Sequence, residues 1–302
     1  VELETVYITY KQLLFSVAYR MLGSVSDAED MLQDMFITLQ NTDTSHVTNL
    51  KSYLVKMVTN RCLNYLNSAS KQRETYIGPW LPEPKVTTPR EDPMGNLVQE
   101  ETISYAFLVL LQELSAVERA VFVLREVLGY DYDEVADMVQ KTEANCRKIY
   151  SRAKVKINQA PDDDGRILGE TEPLVQKFLH AVDTGNFQDF VSLLMEDAVM
   201  VSDGGGKVRA AVQPIYGKLR IAAFFDGIRA KGSLQGQWQT ISINGQTGLV
   251  LTHEQQIYMA ILFDLGAGQD QSSRMYVIRN PDKLQHISSV LSCHKTTTSF
   301  VL

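Results

Sequence analysis

The sequence predicts a multidomain chain: two all-α units, the second a helix-turn-helix, followed by an α+β domain. Three observations carry this. Apolar residues recur at three-and-four spacing through most of the first 157 positions. A cluster of Pro79, Pro82, Pro84, Pro89 and Pro93 interrupts that pattern, because neither a helix interior nor a central strand absorbs so many prolines. Beyond PDDDGR at 161–166, helical spacing gives way to short strand-like runs separated by glycine or turn residues. A length of 302 residues allows more than one core.

The first helix carries Val6, Tyr10, Leu13, Leu14, Val17 and Met21 on one stripe and stops at Gly23. Ser26, with Glu29 three positions on, reads as the cap of a second helix whose buried stripe is Ala28, Met31, Leu32, Met35, Phe36 and Leu39. The polar NTDTSHVTN at 41–49 is a loop before a third helix bearing Tyr53, Leu54, Met57, Val58, Cys62, Leu63 and Leu66. These make a domain over 1–75, and the proline-rich stretch makes a linker over 76–105.

A second helical domain follows over 106–160. After a helix at about 97–113, Ser115 with Glu118 and Asp131 with Glu134 form capping boxes for helices ending near Gly129 and Val139. Thr142 caps a last helix from Glu143 to about Ile157. Residues 161–170 form a joint and 171–290 the α+β domain, with a helix at 171–183 and strands in DAVMVSD, WQTISIN, GLVLTH, QQIYMAILFD and RMYVIR. The tail is 291–302.

A net charge of -7 argues against a protein that coats nucleic acid by bulk attraction. Charge is segregated locally instead. Residues 51–73 hold Lys51, Lys56, Arg61, Lys71 and Arg73 and no acid, whereas 22–34 hold Asp27, Glu29, Asp30 and Asp34 and no base. No apolar run is long enough for a membrane span, and the first residues lack the marks of a secretory signal, so a cytoplasmic chain without membrane contact is expected. Cys62, Cys146 and Cys293 are scattered and odd in number, which predicts no disulfide framework, metal site or cofactor.

In the last helix of the second domain, Cys146, Ile149 and Ala153 should face inward, leaving Arg147, Lys148, Ser151, Arg152 and Lys154 on other faces. A short cationic helix after a tight turn can enter a major groove, with Arg147 and Lys148 nearest the bases and Arg152 and Lys154 on the backbone. The third helix combines the amides Asn60, Asn64 and Asn67 with Arg61, Lys71 and Arg73, while Tyr53, Tyr65 and Tyr76 could stack on unpaired bases. In the last domain, His253 has Asp203, Asp226 and Asp264 available as partners for a general base, but its place at a strand start among turn-like residues favours plain solvent exposure. DGGGK at 203–207 permits a tight loop with Lys207 beside it.

LFSVAYRMLGSVSDAEDMLQDMFI at 14–37 resembles the first conserved region of extracytoplasmic-function (ECF) sigma factors, and RAVFVLREVLGYDYDEVADMVQKTEANCRKIYSRAKVKI at 119–157 resembles their second DNA-binding domain. RETYIGPWLPEP at 73–84, DGGGK at 203–207 and NPDKL at 280–284 are similar to motifs of the sigma-factor group with a C-terminal SnoaL-like domain. The resemblance implies a bacterial sigma factor that directs core RNA polymerase to promoters and performs no catalysis. It implies that Asp30, Gln33 and Asp34 dock on the clamp of the largest polymerase subunit, with a further contact to the flap. It assigns Asn60, Arg61, Asn64 and Lys71 to the melted minus-ten element, and Arg147, Lys148, Ser151 and Arg152 to the double-stranded minus-thirty-five element.

Residues 171–290 are expected, by the same resemblance, to adopt the cone-shaped NTF2-like fold, a curved sheet around a pocket. Regulatory intramolecular contacts fall to Trp80, Pro82, Asp203, Gly204, Gly205, Gly206, Lys207, Asn280, Pro281, Asp282 and Lys283. Two positions depart from the family pattern: Asn64 stands where an acid is expected and Gln140 where a glycine is. Competing readings are a ligand-sensing or ligand-processing module fused to a DNA binder, and an ordinary repressor.

Overall fold

The computed structural model describes residues 3–45, 47–73, 76–87, 103–158, 171–265 and 272–297, with backbone alone at 69–73, 158, 272 and 292–297. The chain forms two compact units, one of Val1–Glu74 with Leu108–Ala160 and one of Thr75–Phe107 with Pro161–Leu302. The segments 88–102, about half of the expected linker, and 161–170, the whole of the expected joint, lie outside the described residues.

In the first unit, α1 (Leu3–Leu22), α2 (Val25–Gln40) and α3 (Leu50–Arg73) pack on one another through the apolar stripes the sequence lays out. Leu14, Val17, Met21, Ala28, Met35, Leu54, Val58 and Cys62 are buried, and Tyr7 meets Phe36 edge-on at 4.9 Å between ring centroids. The cap of α2 is Ser24, not Ser26: its Oγ accepts the Asp27 N–H at 3.1 Å. The helix starts earlier because Val25 is itself buried and extends the stripe of Ala28 and Leu32 by one position toward the N-terminus. Burial pushes the Cys62 thiol up to about 12, so it stays a protonated core residue.

Of the helix expected at about 97–113, residues 97–102 lie outside the described residues, and α4 spans Tyr105–Gln112, with 103–104 and 113 outside the helix. α5 (Ala116–Phe122) opens on the Ser115–Glu118 capping box and runs into a π-helical turn at Val123–Val127 before Gly129. Glu134 accepts the Asp131 N–H at 3.1 Å at the start of α6 (Tyr132–Val139), and Thr142 Oγ1 accepts the Asn145 N–H at 3.3 Å at the start of α7 (Glu143–Asn158). Between them Gln140 is left-handed, with φ 53° and ψ 50°, a backbone region that favours glycine. Arg119, buried beneath these helices, donates to the carbonyl of Met21, to Gln112 Oε1 at 2.7 Å and to the carbonyl of Leu114 at 3.1 Å.

In the second unit, α8 (Glu172–Thr184) and α9 (Gln188–Ser192) precede β1 (Leu194–Asp203) and β2 (Ile215–Tyr216). Then come α10 (Lys218–Ala230), β3 (Gln237–Ile243), β4 (Gln246–His253), β5 (Gln256–Leu265), β6 (Ser272–Ile278) and α11 (Pro281–Thr297). The helix α10 carries no strand-like run, and the sequence reading missed it. α11 takes in part of the expected tail.

The six strands lie in the order β2-β1-β6-β5-β4-β3, with β1 and β6 parallel and every other pair antiparallel. This corrects the expectation of a cone. The sheet is open and is neither closed nor curled, with β2 and β3 at its two edges. The physical reason is burial on both faces. One face packs Met275, Val277, Ile261 and Phe263 against Phe178, Phe190 and Phe225 of α8, α9 and α10, with the Phe178 and Phe225 rings 5.0 Å apart. On alternating positions, Tyr276, Ile278, Ala260 and Leu262 are also buried, and the Tyr276 ring lies 5.2 Å from that of Tyr105.

Candidate nucleic-acid interface

The helix-turn-helix holds α7 by its inward residues. Cys146, Ala153 and Ile157 are buried and Ile149 is half-buried, which turns Arg147, Lys148, Ser151 and Arg152 outward, all four exposed. They are not equivalent. The Arg147 guanidinium lies 4.4 Å over the Tyr132 ring and pairs with Glu143 one turn back. Among the described residues Lys148 and Arg152 have no ion-pair partner, so their charges are the ones available to an incoming polyanion. Tyr132, which also carries Arg125 at 4.8 Å, is a platform that sequence reading missed, since nothing in its local spacing marks the cations brought to it.

On α3, Asn60, Arg61 and Asn64 share a surface depression of about 480 Å³ with Tyr53, Lys56 and Met57. Asn64 is exposed, whereas Asn60 and Arg61 are half-buried, and the Asn60 amide donates to the Lys56 carbonyl at 3.0 Å. The side chain of Lys71 lies outside the described residues. Lys56 pairs with Asp137 of α6 at 2.8 Å, a contact invisible in sequence because the two are far apart along the chain. On α2, Asp30, Gln33 and Asp34 fall at i, i+3 and i+4 and are all exposed. Among the described residues no ion pair neutralises Asp30 or Asp34.

The second unit draws three separated motifs to one point. Asp203, fully buried at the end of β1, accepts from Tyr76 Oη at 2.6 Å, Leu81 N at 2.9 Å, Gly205 N at 2.9 Å and Lys283 Nζ at 2.7 Å. The Lys283 ammonium also donates to the Leu81 carbonyl and lies 3.9 Å over Trp80 and 5.1 Å over Tyr76. Lys207 pairs with Asp282 at 2.5 Å. Gly205, at φ 62°, presses on Asn280 so closely that a Cβ would fall 2.4 Å from its Nδ2. Gly204 accepts the Lys207 N–H at 3.1 Å, closing the turn, while Gly206 abuts Ile77 and Pro281 opens α11. Burial first, and Asp203 as acceptor, push the Tyr76 hydroxyl well above its ordinary range, so it remains a donor.

The described part of the proline-rich stretch, residues 76–87, is therefore fastened rather than free. Tyr105 Oη donates to the Pro82 carbonyl at 2.6 Å, and Leu81, Pro82, Glu83 and Pro84 are buried. Val86 bridges to Ile243 on the β3 edge, with Thr87 N to Ser242 O at 2.8 Å and Asn244 N to Lys85 O at 2.9 Å.

The same geometry speaks against an Asp–His pair. Asp203, Ile278, Ala260 and Val250 form one row across four strands, so His253 on β4 lies three strand spacings from Asp203, about 14 Å sideways. His253 is exposed beside the β4–β5 turn, Asp226 is exposed on α10, and Asp264 faces Arg274 near the far end of β5. Among the described residues no cluster of His, Cys, Asp or Glu could hold a metal ion, and no helix is long and apolar enough to cross a membrane.

Comparison with known proteins matches residues 6–72 to Sigma-70 region 2 and residues 104–157 to Sigma-70, region 4. The chain is 34% identical over 245 residues, 79% of its own length and 77% of the relative's, to the ECF RNA polymerase sigma factor SigJ of Mycobacterium tuberculosis. It is 28% identical over 192 residues to the probable ECF RNA polymerase sigma factor SigI of the same species, covering 61% of this chain and 64% of that one. The crystal structure of the Mycobacterium tuberculosis SigJ superposes with a TM-score of 0.72 at 26% identity, covering 93% of this chain and 98% of that one.

Proposed function

The chain belongs to the ECF RNA polymerase sigma factors, and from that premise we propose how its surfaces divide the work of promoter selection. It directs core RNA polymerase to promoters and is a non-enzymatic regulator of initiation. Asp30, Gln33 and Asp34 on α2 are the polymerase contact, addressed to the clamp of the largest subunit, because they form an exposed acidic face that no ion pair among the described residues neutralises. The flap is a further polymerase contact that rests on family resemblance alone. Asn60, Arg61, Asn64 and Lys71 on α3 engage the opened minus-ten element, where amides reach base edges and cations hold backbone. Arg147, Lys148, Ser151 and Arg152 on α7 engage the minus-thirty-five duplex, Lys148 and Arg152 supplying free charge and Arg147 a guanidinium pre-positioned on Tyr132.

The C-terminal unit, whose DGGGK and NPDKL resemble motifs of the sigma-factor group with a fused SnoaL-like domain, acts in this reading as a regulatory module. Trp80, Pro82, Asp203, Gly204, Gly205, Gly206, Lys207, Asn280, Pro281, Asp282 and Lys283 are its working contacts, since they join residues 76–87 of the linker to the sheet and α11.

The observation that carries the reading is the outward cationic face of α7 behind a capped turn. Run-off transcription with purified core polymerase on a promoter library tests it. The full chain should start RNA at defined sites, and Asp30→Asn with Asp34→Asn should weaken its affinity for core by about tenfold or more. Absence of any defined start, together with unchanged affinity of the acid-free variant, would end the proposal.

A further inference from the structure

We propose that the C-terminal unit sets the upper limit on the promoter spacer this sigma factor accepts, by fastening both ends of the connection between its two promoter-binding modules. The inference rests on the assignment of α3 and α7 to separate promoter elements. Its basis is the pair of fastenings at Tyr76 and Tyr105. Tyr76 is held by Asp203 at 2.6 Å and by Asn280 Nδ2 at 2.9 Å. Tyr105, the first residue of α4, is buried, donates to Pro82 at 2.6 Å and packs on Tyr276. Between them, Leu81 is tied to Asp203 and Lys283, and Lys85–Thr87 lies along the β3 edge.

The consequence is a change in reach. Fully extended, the chain from Tyr76 to Tyr105 would span about 100 Å. With Tyr105 fastened to Pro82, only the stretch from Tyr76 to Pro82 remains, about 20 Å at most. One tyrosine side chain and its hydrogen bond add about 10 Å, for a ceiling of about 30 Å.

Elements named minus ten and minus thirty-five are about 25 base pairs apart, or about 85 Å at about 3.4 Å per pair. Two helical modules, each about 30 Å across, joined through a gap of at most about 30 Å, just cover that distance. A free connection would leave slack for roughly twenty further base pairs, whereas a fastened one leaves almost none. Polymerase holds each module as well, so the clamp acts as an added restraint that is felt on the long side of the optimum.

The test is run-off transcription by core polymerase and the full chain on one promoter whose spacer runs from three base pairs shorter to five longer. The decisive variant inserts six Gly/Ser residues between Glu74 and Thr75, extending a fastened connection by about 20 Å, a large fraction of its reach, but a free one only marginally. The wild-type chain should lose about tenfold in initiation at three extra base pairs, and the insertion variant no more than about threefold, with the short side unchanged. Tyr76→Phe with Tyr105→Phe, which opens two fastenings without stranding a charge, should shift the profile in the same direction. An insertion profile that coincides with the wild-type profile overturns the proposal whatever the tyrosine variant does. Absence of initiation by the wild-type chain at every spacer would sink the promoter assignment itself, a separate result.

Discussion

The buried Asp203–Lys283 pair invites a double-substitution cycle. Asp203 is fully buried and the Lys283 side chain 11% exposed, and they meet at 2.7 Å. Lys283→Met keeps the aliphatic stem between Trp80 and Tyr76 but leaves the carboxylate without its countercharge. Removing one partner of a buried pair costs about 3–5 kcal/mol, and the lower end applies because Tyr76, Leu81 and Gly205 still donate to Asp203. Asp203→Asn strands the ammonium instead, with the Leu81 carbonyl and two rings left to hold it, at a cost of about 2 kcal/mol. With both changes made, neither charge is stranded, so the double variant should be more stable than the sum of the singles predicts by about 2 kcal/mol. Urea unfolding at pH 7, followed by Trp80 fluorescence in a Trp238→Phe background, reads the transition of this unit. Additivity within about 0.5 kcal/mol would refute the coupling drawn from the geometry.

Further outcomes follow from other parts of the molecule. Lys148→Ala with Arg152→Ala should weaken minus-thirty-five binding across all sequences and lower the slope of log affinity against log salt by about 2; an unchanged slope would return both residues to a solvent face. Gln140→Gly should stabilise the helix-turn-helix by about 1 kcal/mol in thermal unfolding by relieving the left-handed backbone, and a loss of stability would show that the Gln140 side chain matters more than its strain. Because the folded-state Tyr76 hydroxyl is raised above its ordinary 10.0, its contribution to stability is complete below pH 10 and declines as pH rises toward the folded value. Tyr76→Phe should flatten that alkaline decline, and an equally steep decline in the variant would contradict the sign. Gly205→Ala should free residues 76–87 to faster hydrogen exchange, since its Cβ cannot coexist with Asn280 where it stands.

The amino-acid order by itself determined the helical units, because their information is local. Leu14, Val17, Met21, Ala28 and Met35 mark buried stripes by spacing alone, and Ser115 with Glu118 marks a helix start within four residues. The inward set Cys146, Ile149 and Ala153 likewise turned Lys148 and Arg152 outward before any packing was known. Even the family departure at Gln140 pointed to a backbone position that wants glycine.

Tertiary structure alone decided the rest. The open sheet could not be read from its strands, since β5 is buried at every position from Met259 to Phe263, and a run without alternation does not say whether the strand curls around a pocket or lies between two layers. The ties of Lys56 to Asp137, Arg147 to Tyr132 and Asp203 to Tyr76, Leu81 and Lys283 were equally hidden. Side chains far apart along the chain become neighbours only after the backbone has folded, and a buried charge finds its partner through that long-range closure rather than through spacing.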